Sequence, residues 1–307
     1  MTTHRVALIG YGEVGRILAE DLRAADHAVT AFDIKLDTGA AAPLQAHAQT
    51  HGVVLARDHA SAVREATLIV SAVTASQAVP VAQASAPGLS RGSFFLDFNS
   101  ASPGAKIRAA AIVNATGARY VEGAVMTTLP PYRIKVPLLL GGPDASDLMP
   151  MLMALGFAPK IASAKLGVAS ATKMCRSVMI KGMEAMVIES LTAARAYGVE
   201  EQVVASLYET FPGIDWNKQA AYFFQRVIEH GRRRSEEVRE VAATVQDIGL
   251  TPWSASGTAE RQAWVADLAD SGVFGVRGEA GFARSTDWRV EADRILHHIA
   301  SAQEGKA

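Results

Sequence analysis

Arg5-Val6-Ala7-Leu8-Ile9-Gly10-Tyr11-Gly12-Glu13-Val14-Gly15 is the stretch whose reading decides the fold. Arg5–Ile9 is a short apolar run of strand length that stops at a glycine. Apolar residues then recur at helical spacing at Val14, Ile17, Leu18 and Leu22. The turn between them is a G-x-G-x-x-G. Its first glycine permits a tight turn, its second lets the backbone approach a pyrophosphate, and its third lets the helix pack on the strand. The helix N-terminus then faces the phosphates. The next apolar run, Ala28–Phe32, ends in Asp33, where a carboxylate accepts hydrogen bonds from ribose hydroxyls. A carboxylate there repels a 2′-phosphate, so NAD is expected; Lys35, two residues on, keeps NADP as the alternative. The expected dinucleotide contacts are Gly10, Tyr11, Gly12, Glu13, Val14, Gly15 and Asp33.

Outward from this unit the same alternation continues. Strand candidates are Val53–Ala56, Leu68–Val73, Phe94–Phe98, Tyr120–Val125 and Val136–Leu140, with helix-like segments between most of them. Strands alternating with helices make a parallel, doubly wound sheet, and near-continuous apolar runs such as LIVSAV suit strands covered on both faces. After about Lys160 the pattern changes. Residues 167–197 form one long helical pattern, apolar over most of its circumference. Glu201–Thr210, Trp216–Glu229, Arg232–Ile248, Thr258–Ala269 and Asp287–Ala302 are also helical. The chain therefore reads as α/β: a dinucleotide-binding domain at 1–164, then an all-helical C-terminal domain at 165–307 for substrate and dimerisation, opening with the long interdomain helix.

Composition narrows the function. Lys plus Arg is 30 and Asp plus Glu is 31, so no basic excess exists for nucleic acid or an anionic membrane. One Cys excludes a disulfide framework and a cysteine-built zinc site. No metal site is expected; His297-His298 alone does not make one. Cys175 is expected to be a small buried residue. The segment MTTHRVALIGYG has no h-region, which leads to an expected cytoplasmic location. The apolar long helix needs covering beyond what the α/β half supplies, so a homodimer through the helical domain is expected.

Three further segments carry the chemistry. Asp97-Phe98-Asn99-Ser100-Ala101-Ser102-Pro103 closes a strand, Glu122-Gly123-Ala124-Val125-Met126-Thr127-Thr128 closes another, and Gly167 precedes Lys173-Met174 on the long helix. Together with the glycine loop they resemble the β-hydroxyacid dehydrogenase family, which includes 3-hydroxyisobutyrate and 6-phosphogluconate dehydrogenases. The resemblance implies a Rossmann-type sheet, an NAD(P) cofactor and Lys173 as the catalytic acid/base. It implies that Asn99, with Val73 and Thr74, meets the cofactor. It also implies that Ser100, Ala101, Glu122, Gly123, Ala124, Met126 and Thr127 meet the substrate. Met126-Thr127-Thr128 stands where the family has S-G-G, and Ser177 stands where it has Asn, one turn after Lys173.

The chemistry also follows from the residues. Alcohol oxidation needs a group that takes the hydroxyl proton as hydride leaves, and a lysine in an apolar setting has its pKa lowered toward that task. Lys173, Ser177 and Lys181 form an i, i+4, i+8 stripe. Lys181 either adds positive charge for an acidic small-molecule substrate or pairs with an acidic neighbour such as Glu184. His230-Gly231-Arg232-Arg233-Arg234 offers a guanidinium clamp, with Arg233 the chosen contact, or a solvated helix start with pairs Arg232–Glu236 and Arg233–Glu237. The leading reading is hydride transfer on a β-hydroxy carboxylic acid. The alternatives are imine reduction, oxidation with decarboxylation or isomerisation of a sugar acid, and nucleotide sensing without turnover.

Overall fold

The computed structural model describes residues 4–283 and 285–304. Two compact units divide it, residues 1–175 and 176–307. The division falls inside the long helix, whose first turn is bonded to the sheet-bearing unit.

In the first unit the strands are β1 (Arg5–Ile9), β2 (Ala28–Phe32), β3 (Val54–Leu55), β4 (Leu68–Ser71), β5 (Phe94–Asp97), β6 (Arg119–Val125), β7 (Pro137–Gly141) and β8 (Ala158–Ser163). They form one sheet in the order β3-β2-β1-β4-β5-β6-β7-β8. All neighbours are parallel except β6 and β7, which are antiparallel. The reversal of strand order lies between β1 and β4, where open α/β sheets bind ligands beyond the strand C-termini. The helices of this unit are α1 (Glu13–Ala24), α2 (Ala41–His51), α3 (His59–Val63), α4 (Ala78–Ser85), α5 (Pro103–Ala115) and α6 (Ala145–Ala154). Two apolar layers cover the sheet. One contains Val6, Leu8, Val70, Leu96 and Leu140, and the other Ala7, Ile9, Ile69, Phe95 and Tyr120. Alternation along each strand assigns these residues to opposite faces.

Strand β8 was not expected. Its sequence, Ala158-Pro-Lys-Ile-Ala-Ser163, is mostly exposed and has no apolar run. It is an edge strand held by pairing with β7 rather than by burial.

The helices α7 (Val168–Tyr197), α8 (Glu200–Thr210), α9 (Trp216–Gln246), α10 (Trp253–Asp270) and α11 (Trp288–Glu304) complete the chain. The second unit has its own core of Trp216, Phe224, Val227, Val265, Phe274 and Trp288. The two helices expected on either side of Gly231 are one. A β-carbon at Gly231 would lie 2.8 Å from the Gln262 carbonyl, so this glycine serves close packing of α9 on α10 instead of breaking the helix. Cys175 is exposed, against expectation. No helix among the described residues is long and apolar enough to cross a membrane.

One buried ion pair underpins the ligand end of the sheet. Asp97 ends β5 and is 0% exposed; Lys106, on α5, is 1% exposed. Lys106 Nζ lies 2.8 Å from Asp97 Oδ1 and also donates to the Asp97 carbonyl at 2.8 Å. The Tyr120 hydroxyl donates to Asp97 Oδ2 at 2.7 Å, and burial pushes that hydroxyl well above the usual tyrosine range. Removing one partner of such a pair leaves a buried charge uncompensated, at a cost of about 3–5 kcal/mol. Lys106→Met is therefore expected to lower unfolding stability by about that amount in denaturant titration. A loss within 0.5 kcal/mol, as for an ordinary surface change, would contradict this account.

Candidate active site

The glycine loop has the geometry that a dinucleotide needs. Gly10 has φ +96°, and a β-carbon there would meet the Ala72 carbonyl at 2.3 Å. At Gly15 a β-carbon would lie 2.1 Å from the Gly10 carbonyl, so only glycine lets α1 start this close to the loop. At Gly12 nothing lies within 4 Å. That open approach, at the uncapped N-terminus of α1, fits a pyrophosphate.

Asp33 supports the loop from β2. Its Oδ2 accepts from the Tyr11 backbone N–H at 2.8 Å and its Oδ1 from the Lys35 N–H at 2.9 Å. These bonds fix the carboxylate at the strand end while the residue stays half-buried. Glu13 and Val14 open α1, with Glu13 exposed.

The next strand ends are tied together by Asn99. Its Oδ1 accepts from the Val73 N–H at 2.7 Å, its Nδ2 donates to Ser71 Oγ at 2.9 Å, and its own N–H donates to Asp97 Oδ1 at 2.8 Å. The Asn99 amide and the Val73 N–H are thus engaged in joining β4 to β5. Thr74 is exposed beside them, and Ala101 is fully buried against Ala105.

Lys173 meets this edge. Its Nζ donates to Ser100 Oγ at 2.7 Å, across 73 positions of sequence. The lysine is half-buried. Its placement follows from Glu122, on β6, which is 0% exposed. Glu122 Oε1 accepts from the Ala169 N–H and Oε2 from the Ser170 hydroxyl, each at 2.9 Å. A carboxylate at a helix N-terminus satisfies orphan N–H groups and the positive end of the dipole. Glycine at Gly141 is required for it, because a β-carbon there would lie 2.1 Å from Glu122 Oε1. Both Glu122 oxygens are therefore spent on α7. Gly123 and Ala124 are buried inside the β6–β7 pairing, while Met126 and Thr127 follow β6 as half-buried and exposed residues. Sequence reading assigned Glu122 to substrate and passed over Lys106, Ser170 and Gly141; nothing local in the sequence marks three residues that meet only in the fold.

In the second unit every proposed cation faces an acid. Lys181 Nζ lies 2.6 Å from Glu237 Oε2, and Arg233 Nη1 2.6 Å from Glu237 Oε1. Arg232 Nη2 reaches Asp267 at 2.6 Å and Asp270 at 2.7 Å, rather than Glu236. Arg234 is buried on Glu184, whose Oε2 also accepts from Gln262 Nε2 at 3.2 Å. Of the two roles open to Lys181, pairing with an acidic neighbour is the one present. Burial lowers its pKa, and the Glu237 carboxylate opposes that shift. Ser177 lies buried on α7.

The absence of a metal site was also expected, and His47 with His51 qualifies that. They stand i, i+4 on α2, and with Glu20 they bring three donor atoms within 4.8 Å of one another.

Comparison with known proteins agrees with this architecture. Residues 5–130 match the NAD binding domain of 6-phosphogluconate dehydrogenase, and residues 194–265 match a domain of unknown function, DUF1932. A conserved hypothetical protein from Sinorhizobium meliloti 1021 is 35% identical, with 95% of this chain and 97% of that one covered and a TM-score of 0.73. A conserved protein of unknown function, described as structurally similar to 3-hydroxyacid dehydrogenases, is 26% identical, with coverage of 86% and 99% and a TM-score of 0.65. Mycobacterium tuberculosis 3-hydroxyisobutyrate dehydrogenase, solved with L-serine, shares the fold at 17% identity, with coverage of 96% and 99% and a TM-score of 0.70. The first unit is an NAD(P)-binding domain.

Asp33 generates a test of cofactor choice. Two like charges about 4 Å apart repel by roughly 1–4 kcal/mol near a protein surface. Asp33→Asn removes the charge and keeps an acceptor for the Tyr11 N–H. Its preference is expected to move from NAD toward NADP by about tenfold or more, since tenfold corresponds to roughly 1.4 kcal/mol. Dissociation constants for both cofactors in both proteins check this; a wild type that already binds NADP more tightly would refute it.

Proposed function

The chain belongs to the β-hydroxyacid dehydrogenase family, and we propose that it is an oxidoreductase acting between NAD(P) and a β-hydroxy carboxylic acid, with Lys173 as general acid/base. The observation that carries this reading is the 2.7 Å contact from Lys173 Nζ to Ser100 Oγ, beyond the β5 end of the nucleotide-binding sheet. The pyrophosphate would rest on the Gly10–Gly15 loop and the N-terminus of α1, and the adenosine ribose against Asp33. When bound, the nicotinamide supplies the acceptor or donor of hydride.

The chain's own residues handle the proton. In oxidation a neutral Lys173 takes the substrate hydroxyl proton as the C–H bond gives up hydride; in reduction its ammonium returns a proton to the carbonyl oxygen. Ser100 accepts a hydrogen bond from Nζ, which fixes the amine where a substrate oxygen can replace or share that bond. Glu122 positions the helix that carries the lysine. Its carboxylate accepts hydrogen bonds from the Ala169 N–H and the Ser170 hydroxyl, which holds the helix start on β6. Ser177 is a shorter partner than an amide would be at that turn, which favours substrates other than 3-hydroxyisobutyrate. A carboxylate on the substrate is attracted by Lys173 itself.

We also propose a homodimer through the helical unit. Met179 and Met186 stand i, i+7 on α7 and remain 65% and 63% exposed. A second copy of the chain is the occupant that would cover them.

Lys173→Ala is expected to reduce turnover by about 10²–10⁴-fold while NAD(P) binding is retained. The measurement is reduced-nicotinamide absorbance with a panel of hydroxy acids and sugar acids, beside cofactor titration. Near-normal turnover in the folded variant would remove Lys173 from the chemistry, and no turnover by wild type on any hydroxy acid would remove the substrate class. For the assembly, light scattering at micromolar concentration is expected to give twice the 32.5 kDa chain mass. A monomeric mass would contradict the dimer.

A further inference from the structure

The side of the nucleotide loop formed by α1 and α2 carries a second set of chemistry-bearing residues. His47 and His51, four apart, share one face of α2, with ring centroids 4.4 Å apart. Glu20, on α1, meets them: His47 Nε2 lies 2.9 Å from Glu20 Oε1. One donor atom from each of the three residues lies within 4.8 Å of the others. Two imidazoles and a carboxylate form a ligand set suited to zinc and its neighbours, at ligand distances of about 2.0–2.2 Å.

A second feature points the same way. The far sides of two of these residues are held by neighbours outside the cluster. Tyr11 Oη is 2.8 Å from His47 Nδ1, the ring nitrogen opposite the cluster. Arg133 Nη2 donates to Glu20 Oε2 at 2.7 Å, so Oε1 is left to the histidine side. Arg133 is itself anchored by Asp21 Oδ1 at 2.8 Å. Outer contacts of this kind orient ligating imidazoles and carboxylates.

We propose that Glu20, His47 and His51 bind one divalent transition ion of the zinc class, clasping α1 to α2 beside the dinucleotide loop. Water completes the coordination at this half-buried position. Metal on Nε2 would leave the His47 Nδ1 proton to bond Tyr11 Oη, and it would replace the present Nε2 contact with Glu20 Oε1. The clasp acts through Tyr11 on the loop whose N–H binds Asp33. It does not depend on the hydride-transfer reading, because none of its ligands takes part there.

The test uses the full-length, untagged protein, stripped with chelator and titrated with Zn²⁺ alone by calorimetry, with Co²⁺ as a spectroscopic probe. Wild type is expected to take up one ion per chain and to show the visible absorption of low-symmetry Co²⁺. The His51 ring makes no hydrogen bond among the described residues, so His51→Ala should keep its metal-free melting temperature. That variant should bind Zn²⁺ at least tenfold more weakly. Tyr11→Phe should weaken binding by about 10–100-fold, the effect typical of an outer contact. Absence of stoichiometric uptake by wild type would overturn the proposal, and so would equal affinity in His51→Ala.

Discussion

Two hydrogen bonds to a buried carboxylate set the geometry of the candidate active site. Glu122 has no access to solvent, and its oxygens are satisfied by the Ala169 N–H and the Ser170 hydroxyl at the start of α7. An ionised carboxylate in that position would be prohibitively costly without such partners. The sheet therefore seizes the helix at its first turn, one turn before Lys173. The lysine reaches Ser100 because β6 holds the helix start and β5 presents the serine. A glycine at Gly141 is part of the same constraint, since any side chain there would displace the carboxylate.

The rest of the ligand end obeys the same rule: each buried polar group is placed where a partner exists. Asp97 is matched by Lys106, Tyr120 and the Asn99 N–H. Asn99 in turn stitches β4 to β5 through Ser71 and Val73. These bonds stiffen the edge against which a nicotinamide and its substrate would lie, and a pre-organised edge is what positions reacting atoms. Asp97 and Asn99 of the strand-end motif are bonded within the sheet end. They build the platform, and Ser100 and Lys173 stand on it.

The helical unit uses charge differently. Lys181 and Arg232–Arg234 are matched by Glu184, Glu237, Asp267 and Asp270 within the unit itself. Exposed pairs of this kind contribute little to stability, whereas the buried Arg234–Glu184 pair cannot lose one member cheaply. Of the cationic run, Arg234 ties α9 to α7, Arg232 reaches α10, and Arg233 pairs within α9. Met179 and Met186 of α7 are among the large apolar side chains this unit leaves exposed.

The sequence alone determined the nucleotide fold. The G-x-G-x-x-G lies between a short continuous apolar run and an apolar face of period 3.6, and both signals are local, so they survive without tertiary information. It likewise marked Asp33 and the helical character of the second half. Tertiary structure alone decided the rest. Edge strand β8 has no apolar pattern because its pairing is its only support. Gly231, a helix breaker by propensity, sits within α9 because close packing on α10 outweighs its cost. Glu122 reads as a ligand residue in its motif but is consumed by α7, and Glu20 joins the i, i+4 histidines only because α1 packs beside α2. In each case the deciding partner is distant in sequence, and residue type records what a side chain can bond to, not which partner the fold brings within reach.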